Sequence, residues 1–169
     1  MIYQPKTLNT FWKNRVQKWL LDDIKVCLKN HVNIGAMTLM CCYIDFMGGL
    51  LNPGADTRTR FYTFIDKYLS QQDALYGFWK CKLYEDFRCG LVHEAIMKKG
   101  TGIFRKDEAD AKEYKHLGIK DARLWVDIIT FYADFKKSVT LLKNDIDIDP
   151  KLKKKALRRM NILGWQLKS

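Results

Sequence analysis

A chain of 169 residues can bury one sizeable core and is too short for two typical domains. Its 47% hydrophobic and 13% aromatic content describes a globular protein and excludes an intrinsically disordered one. The net charge of +11 favours polyanionic partners over acid-seeking ones.

The opening stretch MIYQPKTLNTFWKNRVQKW lacks the apolar core of a signal peptide. Asn9 or Thr10 can cap a first helix, whose apolar stripe runs through Trp12, Val16, Trp19, Leu20, Ile24, Cys27 and Leu28. Asn33 can cap a second helix through Met37, Met40, Cys41, Ile44 and Met47, which Gly48-Gly49 and Asn52-Pro53-Gly54 stop. The most apolar window, residues 35–51, contains Asp45 and the glycine pair. It is expected to fall short of a membrane span and to form a buried core helix. Thr57 opens a third helix carrying Phe61, Phe64, Ile65, Tyr68 and Leu69. A fourth starts near Gln72 or Asp73 and shows Leu75, Trp79, Leu83 and Phe87.

Between residues 99 and 121, Gly100, Gly102, Gly118 and the short Ile103-Phe104 run indicate a loop or a small β-hairpin. A long helix with Leu124, Trp125, Ile128, Ile129, Tyr132 and Phe135 on its buried stripe follows, ending over residues 144–148. Asp149-Pro150 then reads as the cap and first residue of a last, basic helix over 150–168. The expected fold is all-α: one domain over residues 1–169, five to six helices in a bundle, with room for the hairpin insertion.

Charge is concentrated at the two ends. Residues 1–30 carry six Lys/Arg against Asp22 and Asp23, and residues 151–169 carry seven with no acid, while the stretch between them is balanced. If both ends are helices on one side, they make a basic flank that attracts polyanions; the plain alternative is a solvated Lys-rich tail. Lys151, Lys153, Lys154, Lys155, Arg158 and Arg159 are the candidates for phosphate contacts, which carry affinity and not sequence choice. Five cysteines (Cys27, Cys41, Cys42, Cys81, Cys89) are odd in number and lack C-x-x-C spacing, so a disulfide framework and a zinc site are both unsupported. Reduced core thiols in a cytoplasm are the expectation. Phosphate-binding glycine loops, H-E-x-x-H and G-x-S-x-G are absent from the sequence.

One stretch carries chemistry: Arg88-Cys89-Gly90-Leu91-Val92-His93. An arginine can hold a phosphate in a fork, and a histidine can move a proton near neutral pH. On an ideal α-helix residues five apart are separated by about 140°. The pair therefore converges only if Arg88 lies near a helix start or the backbone bends, which Gly90 makes easy. Free N–H groups of a new turn there would favour a phosphate. Tyr84 shares the face of Arg88, and Glu94 adjoins His93 but points another way. The structural alternative pairs His93 with Glu94 or a carbonyl, and Arg88 with Glu85 or Asp86. Asp45, inside an apolar helix, must find a partner, a wet cleft or solvent near Gly48. His31 and His116 lie in other segments with nothing nearby to recruit them. The tryptophans fit core stripes, with Trp165 the one open to base stacking.

An arginine followed four to six residues later by a histidine, set among helices, resembles the HEPN superfamily, an all-helical group that includes many metal-independent ribonucleases. The resemblance covers most of the chain as architecture, but its specific part is the dozen residues from Leu83 to Glu94. It implies catalytic roles for Arg88 and His93, with Asp45 similar to a polar residue that some members carry opposite the motif, and Tyr84 and Glu94 in support. It further implies a homodimer that joins two Arg-His pairs in one cleft, and products ending in a 2′,3′-cyclic phosphate and a 5′-hydroxyl. No metal, cofactor or membrane is implied. The partners implied are RNA and, for a toxin or defence effector, an antitoxin or other neighbouring-gene protein. Active members often have Asn, Asp or His directly after the arginine, whereas this chain has Cys89. A HEPN-like module that binds RNA or protein without cutting is therefore the alternative, and a helical interaction domain with an accidental match is the third reading.

Overall fold

The computed structural model describes residues 6–165 and Leu167. It is mostly helical, with a small sheet. The first helix, α1 (residues 8–29), starts at Thr7, whose side chain and that of Thr10 cap each other's backbone N–H groups. Its middle, Trp12–Leu21, is wound wide, with hydrogen bonds of the i→i+5 kind. The wider turn slips the phase of the apolar stripe. Trp12, Val16, Leu21, Ile24 and Leu28 are buried, Leu20 is half-buried, and Trp19 is turned out with 53% of its surface exposed. Trp19 is thus not the core residue that regular periodicity predicts.

Helix α2 (Asn33–Leu51) follows, with Asn33 as its first residue and not its cap. By length and composition α2 is long and apolar enough to cross a membrane, with a mean hydropathy of 1.6, contrary to the expectation from sequence. In this fold it is the central helix. It packs against α1, α3 (Thr57–Lys67), the second half of α4 (residues 75–94), α5 (Ile128–Ile148) and α6 (Pro150–Ile162). Gly48 makes the tightest of these contacts possible. A Cβ there would lie 1.8 Å from the Arg60 carbonyl oxygen, so α2 and α3 touch backbone to backbone.

Asp56 caps α3 through the Thr59 N–H, and the Asp73 carboxylate accepts from the Leu75 N–H at the start of α4. Tyr76, fully buried, anchors α4 to the core, while Trp79 is half-buried. The second part of α4, Leu83–Glu94, is again wound wide and passes unbroken through Gly90.

The region after α4 is more than a hairpin within residues 99–121. Strands β1 (Thr101–Phe104), β2 (Gly118–Lys120) and β3 (Arg123–Asp127) form a sheet in the order β1-β3-β2. β1 runs parallel to β3, and β2 pairs with β3 as a hairpin. Leu124 and Trp125 therefore belong to a strand, not to the long helix. Their spacing matches a helical stripe, but Asp127 accepts from the Ile129 and Thr130 N–H groups and starts α5 only after them. Leu124 and Val126 point into the core, and Trp125 covers Gly102. Arg105, buried just after β1, donates to the Leu28 carbonyl and the Asn33 side chain, tying the sheet to the α1–α2 junction. Asp149 caps α6 at Pro150, as the sequence predicts, but the helix ends at Ile162; positions 166 and 168 of the expected 150–168 helix lie outside the described residues. Beyond it Trp165 packs edge-on against Phe11, so the two basic ends of the chain meet.

Two substitutions test these close contacts by denaturant midpoint. Gly48→Ala forces α2 and α3 apart and is expected to cost about 3 kcal/mol or more. The two-residue turn of the β2–β3 hairpin places Asp121 and Ala122 at φ 52° and 59°. Ala122→Gly relieves the left-handed strain and should stabilise by about 1 kcal/mol.

Candidate active site

Arg88 and His93 meet. Arg88 Nη1 lies 2.7 Å from His93 Nε2, on the exposed side of α4. The cause is the winding of Leu83–Glu94. When the helix bonds i→i+5, a residue and the fifth one after it stand nearly above each other, whereas in an α-helix they diverge. The meeting requires neither a helix start at Arg88 nor a bend at Gly90. The free N–H groups expected at a new turn are accordingly not there, since the helix is continuous. Gly90 serves another purpose: the chain leaves the helix through left-handed Ala95 and folds back so that the Ile96 carbonyl would come 2.5 Å from a Cβ at position 90.

A guanidinium has only N–H donors, so His93 Nε2 is the acceptor and the imidazole proton sits on Nδ1. His93 is exposed, whereas the Arg88 side chain is only 13% exposed. Its Nη2 is 3.8 Å from Asp45 Oδ2, and its Nε is buried without a hydrogen-bond partner among the described residues. Arg88 thus carries donor capacity that its neighbours do not use.

Asp45 is half-buried, its side chain 17% exposed, and it has found a partner. Arg60 holds it with both arms, Nε to Oδ1 at 2.7 Å and Nη2 to Oδ2 at 3.2 Å. Arg60 is fixed in turn by the Ala55 carbonyl and the Thr57 hydroxyl. Tyr84 is buried below the pair, edge-on to Phe61 and Tyr62, with the Arg88 guanidinium 5.8 Å from its ring centre. Burial raises its phenol pKa, so Tyr84 is a neutral platform.

The local alternatives for Arg88 are taken elsewhere: Glu85 pairs with Arg58 at 2.6 Å and Asp86 with Lys82 at 2.7 Å. Glu94 faces Lys98 at 4.0 Å, so its interaction is with the following turn and not with His93. Burial pushes the Cys41 and Cys42 thiols up, which makes them poor nucleophiles.

On α6, Leu152, Ala156 and Met160 face the core, leaving Lys151, Lys154, Lys155 and Arg158 exposed and Lys153 half-buried. Arg159 departs from the expected phosphate-contact set. Its side chain lies along Gly49 and points Nη1 at the Pro53 carbonyl, 3.5 Å away, and burial followed by the Arg60 charge lowers its pKa.

His116 is not isolated, as its segment suggests, but joins a buried network. The Asp127 N–H donates to Nδ1 at 3.1 Å, so in the neutral ring Nε2 carries the proton and meets Tyr76 Oη at 2.9 Å. Tyr76 donates onward to Asp134 at 3.1 Å. A hollow of about 400 Å³ beside His116 is bordered by Lys106, Lys112 and Lys115. These partners come from α4, β3 and α5, so only tertiary structure unites them. His31 sits at a left-handed turn with Glu108 3.8 Å away. Among the described residues no three His, Cys, Asp or Glu side chains gather as metal ligands.

No family model matches the chain, and neither a curated protein nor a solved structure matches it.

Burial lowers the His116 pKa below its ordinary 6.5. Between the folded and unfolded values the unfolded chain binds more protons, so this contribution is present above about pH 6.5 and is lost as pH falls through that window. Unfolding free energy measured at about pH 5 and pH 7.5 should therefore drop on acidification. His116→Asn, which keeps an acceptor for the Asp127 N–H, should have a shallower drop; an unchanged slope rules His116 out as its source.

Proposed function

We propose that this chain is a HEPN-like endoribonuclease that cleaves RNA without a metal, with Arg88 and His93 as its catalytic residues. The observation that carries the reading is the 2.7 Å Arg88–His93 contact on the exposed side of α4, built by a wide turn of the kind often found at functional sites. RNA carries its own nucleophile. The 2′-oxygen attacks the adjacent phosphorus, the bond to the 5′-oxygen breaks, and a 2′,3′-cyclic phosphate and a 5′-hydroxyl result.

Two proton transfers and one charge must be managed. The non-bridging oxygens take the Arg88 guanidinium through Nη1, the donor on its exposed side, and its charge stabilises the phosphorane. Drawing Nη1 to the phosphate frees His93 Nε2, which then accepts the 2′-hydroxyl proton. One imidazole does not serve both steps at once, so His93 of a second copy delivers the proton to the leaving 5′-oxygen. The active form is thus proposed as a homodimer. Asp45 and Arg60 position Arg88 from behind. Lys151, Lys153, Lys154, Lys155 and Arg158 supply sequence-independent affinity for the RNA backbone. The proposed setting is the cytoplasm, as a toxin or defence effector held in check by an antitoxin or other neighbouring-gene protein.

A second reading, a HEPN-like module that binds RNA or protein without cutting, is favoured by one observation. Cys89, next to Arg88, is half-buried and carries a thiol, a weak donor and acceptor that offers a substrate far less than Asn, Asp or His would.

His93→Ala and Arg88→Ala should each slow RNA cleavage in EDTA at least about 100-fold while leaving RNA affinity within a few-fold. Thermal unfolding confirms that each variant is folded, and end-group analysis should find the cyclic phosphate. Wild-type protein that leaves RNA intact, or that is strictly monomeric by light scattering at assay concentration, contradicts the nuclease reading.

A further inference from the structure

The outward turn of Trp19 opens a second feature beside the candidate site. A groove of about 380 Å³ runs between α1 and α2, walled by Phe11, Trp19, Phe46 and Trp165. Arg15, only 7% exposed, is pinned over the Trp19 ring at 3.5 Å from its centre, with the Trp165 ring 5.0 Å on. Held this way, Trp19 is an aromatic surface that is half in solvent yet already ordered, so a ligand does not have to immobilise it. Asn14 and Lys18 border a second hollow on the other side of this stack. Asp23, exposed, is the acid at the rim of the groove.

The groove adjoins the Arg88–His93 pair through one face of α2. Cys42 and Phe46 line the groove, while Cys42 and Asp45 lie near Arg88, whose charge acts on the Cys42 thiol. Positions 42, 45 and 46 are neighbours on a helix surface. A flat apolar hollow with aromatic walls, cations at its edge and a phosphate-gripping arginine next door has the chemistry of one unpaired nucleotide: a ring to stack and an anion to neutralise.

We propose that this groove is a base-binding subsite for single-stranded RNA, seating the base of a nucleotide next to the phosphate at Arg88. Its preferred occupant is guanine. A carboxylate such as Asp23 accepts two parallel hydrogen bonds, and guanine alone among the four RNA bases presents two adjacent donors, N1–H and the N2 amino group, on one edge. The proposal rests on RNA being the ligand of the Arg88–His93 site, and it assigns Trp19 and Asp23 to binding, not to catalysis.

The test uses the full chain and two 2′-O-methyl hexanucleotides, UUGUUU and UUUUUU, which lack the nucleophile and cannot be cut. Binding is followed by tryptophan fluorescence and by anisotropy of an end label. Wild-type protein is expected to prefer the guanine-containing strand. Trp19→Ala, at a half-exposed position that tolerates truncation, should weaken binding of that strand about tenfold with an unchanged melting temperature. Asp23→Asn should bring the two strands to equal affinity.

A folded Trp19→Ala protein with wild-type affinity overturns the subsite, and equal binding of both strands by wild type overturns the guanine assignment. Should the groove bind as described while unmethylated RNA is never cut, the nuclease reading falls and the subsite stands. If Arg88 and His93 variants abolish cutting but Trp19→Ala changes neither affinity, the reverse holds.

Discussion

Asp45 is the acid that an otherwise apolar central helix carries into the protein, and its grip on Arg60 is what makes that helix tolerable in the core. A carboxylate largely withdrawn from water needs an opposite charge with matched geometry, and the two-armed guanidinium supplies it. The same contact fixes α3 on α2 at the level where Gly48 lets the backbones touch. It also leaves Asp45 Oδ2 facing Arg88 from 3.8 Å. The packing of the core and the placement of the reactive arginine thus share one carboxylate.

The second organising device is helical winding. In both α1 and α4 a stretch of wide turns displaces the pattern that regular geometry would produce. In α1 the slip exchanges Leu20 for Leu21 in the core and turns Trp19 outward, where Arg15 stacks on it. In α4 it superimposes Arg88 and His93. The same departure from regular geometry thereby sets up an aromatic surface and an Arg-His pair that adjoin along one face of α2. Wide turns are seldom retained without such a use, because their hydrogen bonding is poorer than that of an α-helix.

The sheet shows how far local signals reach. Gly100, Gly102 and Gly118 mark irregular structure, and they do fall in or beside strands. What they do not reveal is that β1 pairs in parallel with β3, since such pairing needs a crossover whose partner lies well down the chain. Leu124 and Trp125 fit a helical stripe equally well. Only the Asp127 cap and the register with β1 and β2 make them strand residues.

The sequence by itself determined what short-range physics controls. Asp149 before Pro150, Asn52-Pro53-Gly54 after α2 and the apolar periods of most helices each act within a few residues, and the mostly helical character with a small β element follows from them; Gly48-Gly49, read locally as part of that stop, instead lie inside α2 and serve its packing. It also singled out Arg88, His93, Tyr84 and Asp45, because unusual residue types at defined spacings are visible without coordinates. Tertiary structure decided which of those side chains meet and which do not. Winding brings His93 onto Arg88, Arg60 claims Asp45 across a helix crossing, Gly49 draws Arg159 inward, and Tyr76 with Asp134 surrounds His116. The winding departs from the regular period that a sequence pattern assumes, and the other three outcomes depend on where a distant segment comes to lie; a contact between residues far apart in the chain leaves no periodic trace in either segment alone.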